Sequence, residues 1–333
     1  LNKEEQNKPI NFKGLKMNTF IIALAITALF SFNLLACGDH RNDLLISGTP
    51  AIHHSYQTSD KQFPDSGIVY DINNPNHRGM NPWRSTSLNE TRTLALTYDD
   101  GPHPTNTPRL LDILKKYNVK VTFFVLGQLA QKYPNIIERM VKENHIVASH
   151  DWFHDNSNNE SEAEYKSELK RSIKEVRMHQ PGPYTYYRFP YGAYANGQGY
   201  HHLNAMREVS MELFSENCIN FAFWDIDTSD WVSEMTAANI NQTLWANIRG
   251  GSAWRFKSVR RNGQLQYIKV PYSITNPKSG GVVLMHDIHQ RTVEATRIFL
   301  KEATTSNIQF VTLKEVEEFQ YQNQQCSLLS AIR

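Results

Sequence analysis

From Arg92 onward two hydrophobic rhythms alternate along the chain. Short apolar runs, rich in β-branched and aromatic residues, occupy Thr93–Tyr98, Lys120–Leu126, Ile146–Ser149, Tyr184–Phe189, Phe221–Asp225, Gly281–Met285 and Ile308–Thr312. Stretches with helical spacing separate them. Thr107-Pro108 offers a cap and a first-turn proline ahead of RLLDILKKY, and Ser161 with Glu164 forms a capping box before YKSELKRSIKEVRMH. Strands alternating with helices predict a parallel sheet. These runs predict an α/β fold, a distorted and incomplete (β/α) barrel of about seven strands, with an open doubly wound sheet as the alternative.

Ahead of this region the pattern changes. From Gly38 to about Asn89 the chain is rich in Asn, His, Ser, Asp and Pro, and only GIVYDI (Gly67–Ile72) is clearly apolar. This composition predicts a polar tether and an N-terminal flap whose histidines (His40, His53, His54, His77) are solvated. Further upstream, Lys13 and Lys16 precede FIIALAITALFSF, which runs into NLLACGDH. A basic flank, a short apolar core and a small residue before a cut site describe an export signal. LLAC at Leu34–Cys37 resembles a bacterial lipobox, so Cys37 is the expected lipidation site. A plain signal peptide cleaved near Ala36 and an uncleaved anchor are the alternatives.

Composition narrows the class without naming a function. The 333 residues are 40% hydrophobic and 20% charged, with a formal net charge of +2, an ordinary globular balance that does not favour a nucleic-acid partner. The three cysteines, Cys37, Cys218 and Cys326, include no CxxC pair, so a cysteine-built metal site is not expected. Cys218 and Cys326 either pair in an oxidising compartment or remain buried thiols. One stretch stands apart: from Met235 through His286 there is no acidic residue, while Arg249, Arg255, Lys257, Arg260, Arg261, Lys269 and Lys278 share it with Trp254, Tyr267 and Tyr272. This basic, aromatic insertion is either a grip for a carboxylate-bearing ligand or sugar face, or a solvated hairpin covering the barrel.

Polar clusters close five of the apolar runs: TYDD, ASHDWFH, YYRFPYG, FWDIDTSDW and VVLMHDIH. In a parallel sheet all strand carboxyl ends lie at one face, where such folds build active sites. The clusters therefore converge. His150 and His154 are four apart, a spacing that puts both imidazoles on one side of a helical turn. Two histidines and one carboxylate make a three-ligand divalent site with open positions for water and substrate.

The ordered set TYDDGP, HDWFH, RFPY, DTSDW and LMH resembles the five motifs of the polysaccharide deacetylases, the NodB homology domain or carbohydrate esterase family 4. The resemblance spans about Thr93 to Thr312. It implies a hydrolase that removes acetyl groups from N-acetylglucosamine units of peptidoglycan, chitin or related polymers with one divalent metal, zinc first and cobalt, nickel or manganese as alternatives. By position, Asp100, His150 and His154 would hold the metal and Asp99 would be the general base for the attacking water. Arg188 would pair with Asp99, and the backbone N–H of Tyr191 would stabilise the oxyanion. His286 would be the general acid, held charged and oriented by Asp227, while Trp231 and Leu284 would line the acetyl pocket.

One residue departs from the motifs: Asp151 stands where the family has Ser or Thr. Tyr98 replaces the commoner Phe. His289 is expected at the surface, His103 as a turn cap, and Asp225 as a strand-end residue beside the site. The resulting division is 1–37 signal peptide, 38–90 tether and flap, 91–322 catalytic domain with an insertion at 246–280, and 323–333 tail. The expected partners are peptidoglycan or a related glycan and a membrane reached through the lipid anchor; the chain is expected to be a monomer. Its expected place is the cell envelope, at the periplasmic face of the outer membrane or the cell surface. Another poly-N-acetylglucosamine substrate, a small-amide hydrolase on the same scaffold and a non-catalytic glycan-binding homologue are the alternative functions.

Overall fold

The strands begin at β1 (Thr93–Asp99), whose alternation decides what faces the barrel interior. Leu94, Leu96 and Tyr98 pack into one core with the surrounding helices, while Ala95 joins the other core. Period-2 alternation thus sends Thr97 and Asp99 inward with Ala95. The same division holds on β2 (Thr122–Val125), where Phe124 points in and Phe123 and Val125 point out. It holds again on β9 (Gly281–His286), where Val282 and Leu284 point in and Val283 and Met285 point out.

The computed structural model describes residues 87–182, 185–193, 201–215, 218–319 and 326–329. The chain divides into two units, Leu1–Leu34 and Leu35–Arg333, and all described residues belong to the second. The expected signal segment, Cys37 and nearly all of the expected tether lie outside the described residues. Among the described residues no helix is long and apolar enough to cross a membrane.

The remaining strands are β3 (Ile146–Ser149), β4 (Thr185–Tyr187), β5 (Ile219–Phe221), β6 (Ile226–Asp227) and β10 (Gln309–Val311), with β7 (Gly251–Arg261) and β8 (Gln264–Ile274) apart. The main sheet is parallel, in the order β5-β4-β3-β2-β1-β9-β6, and β10 branches from β1. The strand beside β1 changes along its length: β10 pairs with Thr93–Ala95 and β2 with Thr97–Asp99. This is the expected incomplete barrel. Its two edge strands, β5 and β6, are joined by residues 222–225 rather than by a ladder.

That junction corrects one expectation. The run Phe221–Asp225 is not a single strand; it is the crossing between two short ones. Ala222 N–H donates to Tyr187 O, whereas Asp225 N–H donates to Val282 O, and Val282 N–H returns to Asp225 Oδ2 at 2.8 Å. The chain thus leaves β4 and joins β9 within this stretch.

The helices are α1 (Asn106–Lys116), α2 (Gly127–Lys132), α3 (Pro134–Lys142), α4 (Glu162–His179), α5 (His201–Phe214), α6 (Ala237–Arg249) and α7 (Gln290–Ala303). The Ser161/Glu164 capping box opens α4 as read from the sequence. At α1 the cap lies earlier than predicted: the helix starts at Asn106, and His103 Nδ1 accepts from the N–H groups of Thr105 and Asn106. Thr107 is instead drawn inward, its hydroxyl donating to Asp287. The insertion is an antiparallel hairpin, β7 and β8, turned at Asn262-Gly263, where both residues have positive φ (52° and 78°). An Asn-Gly pair suits such a two-residue turn because both central positions need left-handed backbone. Cys218 and Cys326 form a disulfide that ties the C-terminal segment to the start of β5.

Candidate active site

Asp99 ends β1, and the next residue turns sharply: Asp100 has φ 73°, followed by the cis Gly101-Pro102 peptide. The two carboxylates therefore take different surroundings. Asp99 is buried, and its Oδ1 accepts from Arg188 Nη1 at 2.8 Å. Arg188 is itself wholly buried and fully engaged, donating to Thr97 Oγ1 (2.7 Å), Ala222 O (2.8 Å) and Phe223 O (3.2 Å), with its guanidinium 4.0 Å from the centre of the Phe124 ring. A guanidinium held this way is a fixed charge, not a mobile counterion.

Asp100 faces the histidines. Its Oδ1 lies 3.3 Å from His150 Nε2 and 3.1 Å from His154 Nε2, yet has no hydrogen-bond partner of acceptable geometry. Burial alone would raise the Asp100 carboxyl, but the two imidazoles and the charge of His286 hold it well below the usual range. His150 Nδ1 is 2.8 Å from Arg188 O. A carbonyl only accepts, so Nδ1 carries the proton and Nε2 is left with its lone pair toward Asp100. Two ring nitrogens and a carboxylate oxygen converge, with the tautomer of one ligand fixed, and this donor set fits one divalent cation.

The loop carrying the histidines is not the helical turn that their spacing predicts. Asp151 and His154 both have left-handed φ (66° and 69°), and the segment is irregular. What holds it is the start of α2: Gly127 N–H donates to Asp151 O, and Gln128 N–H to Trp152 O. A Cβ on Gly127 would come within 2.4 Å of the Trp152 ring, so only glycine allows this approach.

His286 ends β9 and is the register partner of Asp99. Its carboxylate partner differs from the expected one. His286 Nδ1 lies 2.8 Å from Asp230 Oδ1, and Asp230 Oδ2 accepts from His286 N–H (2.7 Å) and Thr292 Oγ1 (2.6 Å). Asp227 instead turns back on its own chain, its Oδ1 accepting from Ser229 N–H at 2.6 Å. The reason is local: Asp227 sits on β6 opposite Leu284 of β9, whereas Asp230 lies in the turn that Val232 N–H closes on Ser229 O, just past the left-handed Ser229, and from there meets the end of β9 at His286. Burial would lower His286, but the charges of Asp230, Asp100 and Asp99 and the Asp230 hydrogen bond carry it up to about 10. Burial and the neighbouring Asp230 raise Asp227 to about 7, against the Ser229 hydrogen bonds.

The other predicted residues fall around this centre. Tyr191 sits in a turn with φ 57°, its ring packed edge-on to His154 at 4.6 Å between centroids. Leu284 is buried on β9 beside Thr97 and Asp227. Trp231 packs against Phe256 (4.8 Å) and Tyr267 (5.1 Å), which brings the β7–β8 hairpin to the same side as Asp230. His289 is half-buried rather than at the surface, 6.2 Å from the His286 ring, and burial lowers it to about 4. Asp225 is clamped at the start of β9, with Lys278 Nζ at 3.6 Å.

Sequence reasoning missed the supports of this centre: Thr97 under Arg188, Thr292 on Asp230, and Asp287. The Asp287 carboxylate lies against Gly101, where a Cβ would come within 2.4 Å of its oxygens. The sequence signal for Asp230 is present in DTSDW, where it directly precedes Trp231.

The sequence model for polysaccharide deacetylase matches residues 87–208. The peptidoglycan-N-acetylglucosamine deacetylase PgdA of Listeria monocytogenes is 30% identical over 226 residues, 68% of this chain and 39% of that protein. The peptidoglycan-N-acetylmuramic acid deacetylase PdaC of Bacillus subtilis is 28% identical over 254 residues, 75% of this chain and 44% of that protein. The chain thus spans about two fifths of the length of these relatives. The crystal structure of the Bc1960 peptidoglycan N-acetylglucosamine deacetylase superposes with a TM-score of 0.54 at 26% identity, covering 73% of this chain and 94% of that one. The chain belongs to the polysaccharide deacetylase family.

Proposed function

We propose that this chain is a metal-dependent hydrolase that removes the N-acetyl group from N-acetylglucosamine residues of cell-wall peptidoglycan. The observation that carries the reading is the pairing, at one barrel face, of an Asp100–His150–His154 donor set with two oppositely equipped proton-transfer groups, Asp99 and His286. Peptidoglycan is the substrate class named for PgdA and PdaC. PgdA is named for N-acetylglucosamine, whereas PdaC favours a second reading of the sugar, N-acetylmuramic acid in its place.

One divalent ion held by Asp100, His150 and His154, zinc by our reading, would supply Lewis acidity toward water and the amide carbonyl. The protein supplies the rest. Asp99, held at Oδ1 by Arg188, takes the proton from the attacking water. Tyr191 offers its backbone N–H to the oxygen that gains charge as the acyl carbon becomes tetrahedral. His286, oriented through Nδ1 by Asp230, donates from Nε2 to the departing amine nitrogen. The C–N bond breaks, and acetate and the free amino sugar leave. Trp231 and Leu284 enclose the acetyl methyl.

We also propose that the protein is exported and tethered through Cys37 in the cell envelope. The Cys218–Cys326 disulfide supports an oxidising compartment. Acetate release from peptidoglycan by wild type and by His150→Ala and His154→Ala variants tests the reading. Loss of both metal and acetate release in the variants is expected; full activity without metal would overturn it.

A further inference from the structure

A second group of carboxylates lies behind the histidine loop. One oxygen each from Asp151, Glu160 and Glu168 lies within 4.8 Å of the others. Asp151 is wholly buried, and neither of its oxygens has a hydrogen-bond partner. Its side chain points at the two glutamates, which as residues are half-buried. Both oxygens of Glu160 and Oε2 of Glu168 are likewise buried without a hydrogen-bond partner. The rings of Tyr165 and Tyr187, also wholly buried, place their hydroxyls within electrostatic reach of Asp151 and Glu160.

Three carboxylates this close repel one another unless protons or a cation intervene. The charges facing them do not provide balance. Asp155 and Glu164 add further negative charge, and the positive charge acting on Glu168 is that of Arg171, whose guanidinium sits 3.4 Å over the Trp152 ring. A carboxylate buried this deeply is unfavourable unless a cation compensates it, and beside Asp151 only the backbone N–H of Trp152 eases the charge.

We propose that Asp151, Glu160 and Glu168 bind a second, structural divalent cation, of the calcium class, distinct from the Asp100–His150–His154 centre. The donors are all hard oxygens with no imidazole, which suits calcium and disfavours zinc. One ligand neighbours His150, one precedes the Ser161 cap, and one lies on α4, so the ion ties the histidine loop to the first half of that helix. The inference does not depend on the deacetylase reading.

The test uses zinc-loaded protein and does not read activity. Calcium is added while the melting temperature is followed, and terbium luminescence excited through tryptophan, with Trp152 beside the site, reports occupancy. Expected are one calcium per chain, a melting temperature that rises with calcium, and terbium emission displaced by calcium. Glu168→Gln should weaken calcium at least tenfold, and Glu160→Gln/Glu168→Gln should abolish both signals while zinc content stays at one per chain. A wild-type protein with neither signal overturns the proposal. So do signals unchanged in the double variant, or calcium that binds only when zinc has been removed.

Discussion

Asp99 and His286 are register partners on adjacent parallel strands, so the residue read as the base and the residue read as the acid end their strands side by side, facing one interior. Each is committed to a different buried partner, Arg188 for Asp99 and Asp230 for His286. One pair of strand ends thus carries two groups whose surroundings are opposite in charge.

Replacing Asp99 by Asn keeps the shape and an acceptor for Arg188 but removes the charge. Acetate release should fall on the order of 10²–10⁴-fold, the usual worth of a positioned proton acceptor. Metal content should stay unchanged, since Asp100 and the histidines are intact. Leaving the Arg188 charge buried without its anion should also lower thermal stability, by about 3–5 kcal/mol. Metal analysis beside activity separates these effects; loss of metal with activity retained would reverse the roles of the two aspartates.

The Asp230–His286 contact sets a pH dependence. A general acid works while protonated, so activity falls as pH rises through its pKa, which Asp230 helps lift to about 10. Asp230→Asn removes that support and should move the alkaline limb of the kcat profile at least about one unit to lower pH. Asp227→Asn should leave the limb in place, because Asp227 bonds to Ser229 and not to His286. The opposite pattern would restore the role first read for Asp227.

Much of this was legible in the chain. The period-2 pattern of TLALTYD places Asp99 inward, and the strand-end clusters converge as parallel topology requires. Three things were hidden. The run at Phe221–Asp225 looks like one strand because its apolar residues serve two neighbours in succession. The His150/His154 spacing suits a helix, but the loop reaches the same convergence through left-handed residues at Asp151 and His154. Choosing between Asp227 and Asp230 required knowing how the Ser229–Val232 turn aims the second aspartate, which spacing does not encode.

The hairpin gives a substrate prediction. Arg260 and Arg261 are exposed near its tip, while Phe256 and Tyr267 in its body pack on Trp231. Reversing both charges should raise KM for peptidoglycan, which carries carboxylates, by about three- to tenfold, consistent with exposed ion pairs. Neutral chito-oligomers should be nearly unaffected. Equal effects on both substrates would assign the arginines no part in recognition.

The disulfide predicts a stability difference. Cys218 and Cys326 are 108 residues apart, and closing so long a loop restricts the unfolded chain by about 5 kcal/mol in the chain-entropy account. Cys218→Ala/Cys326→Ala should therefore melt well below wild type. It should also lose its sensitivity to reductant, compared by thermal denaturation with and without dithiothreitol.

The central claim is tested most directly by acetate released from purified peptidoglycan by the protein as isolated, after chelation and after zinc is restored. Acetate that appears, is lost on chelation and returns with zinc is the predicted result. Release unchanged by chelation, or none from the zinc-restored protein, would contradict it.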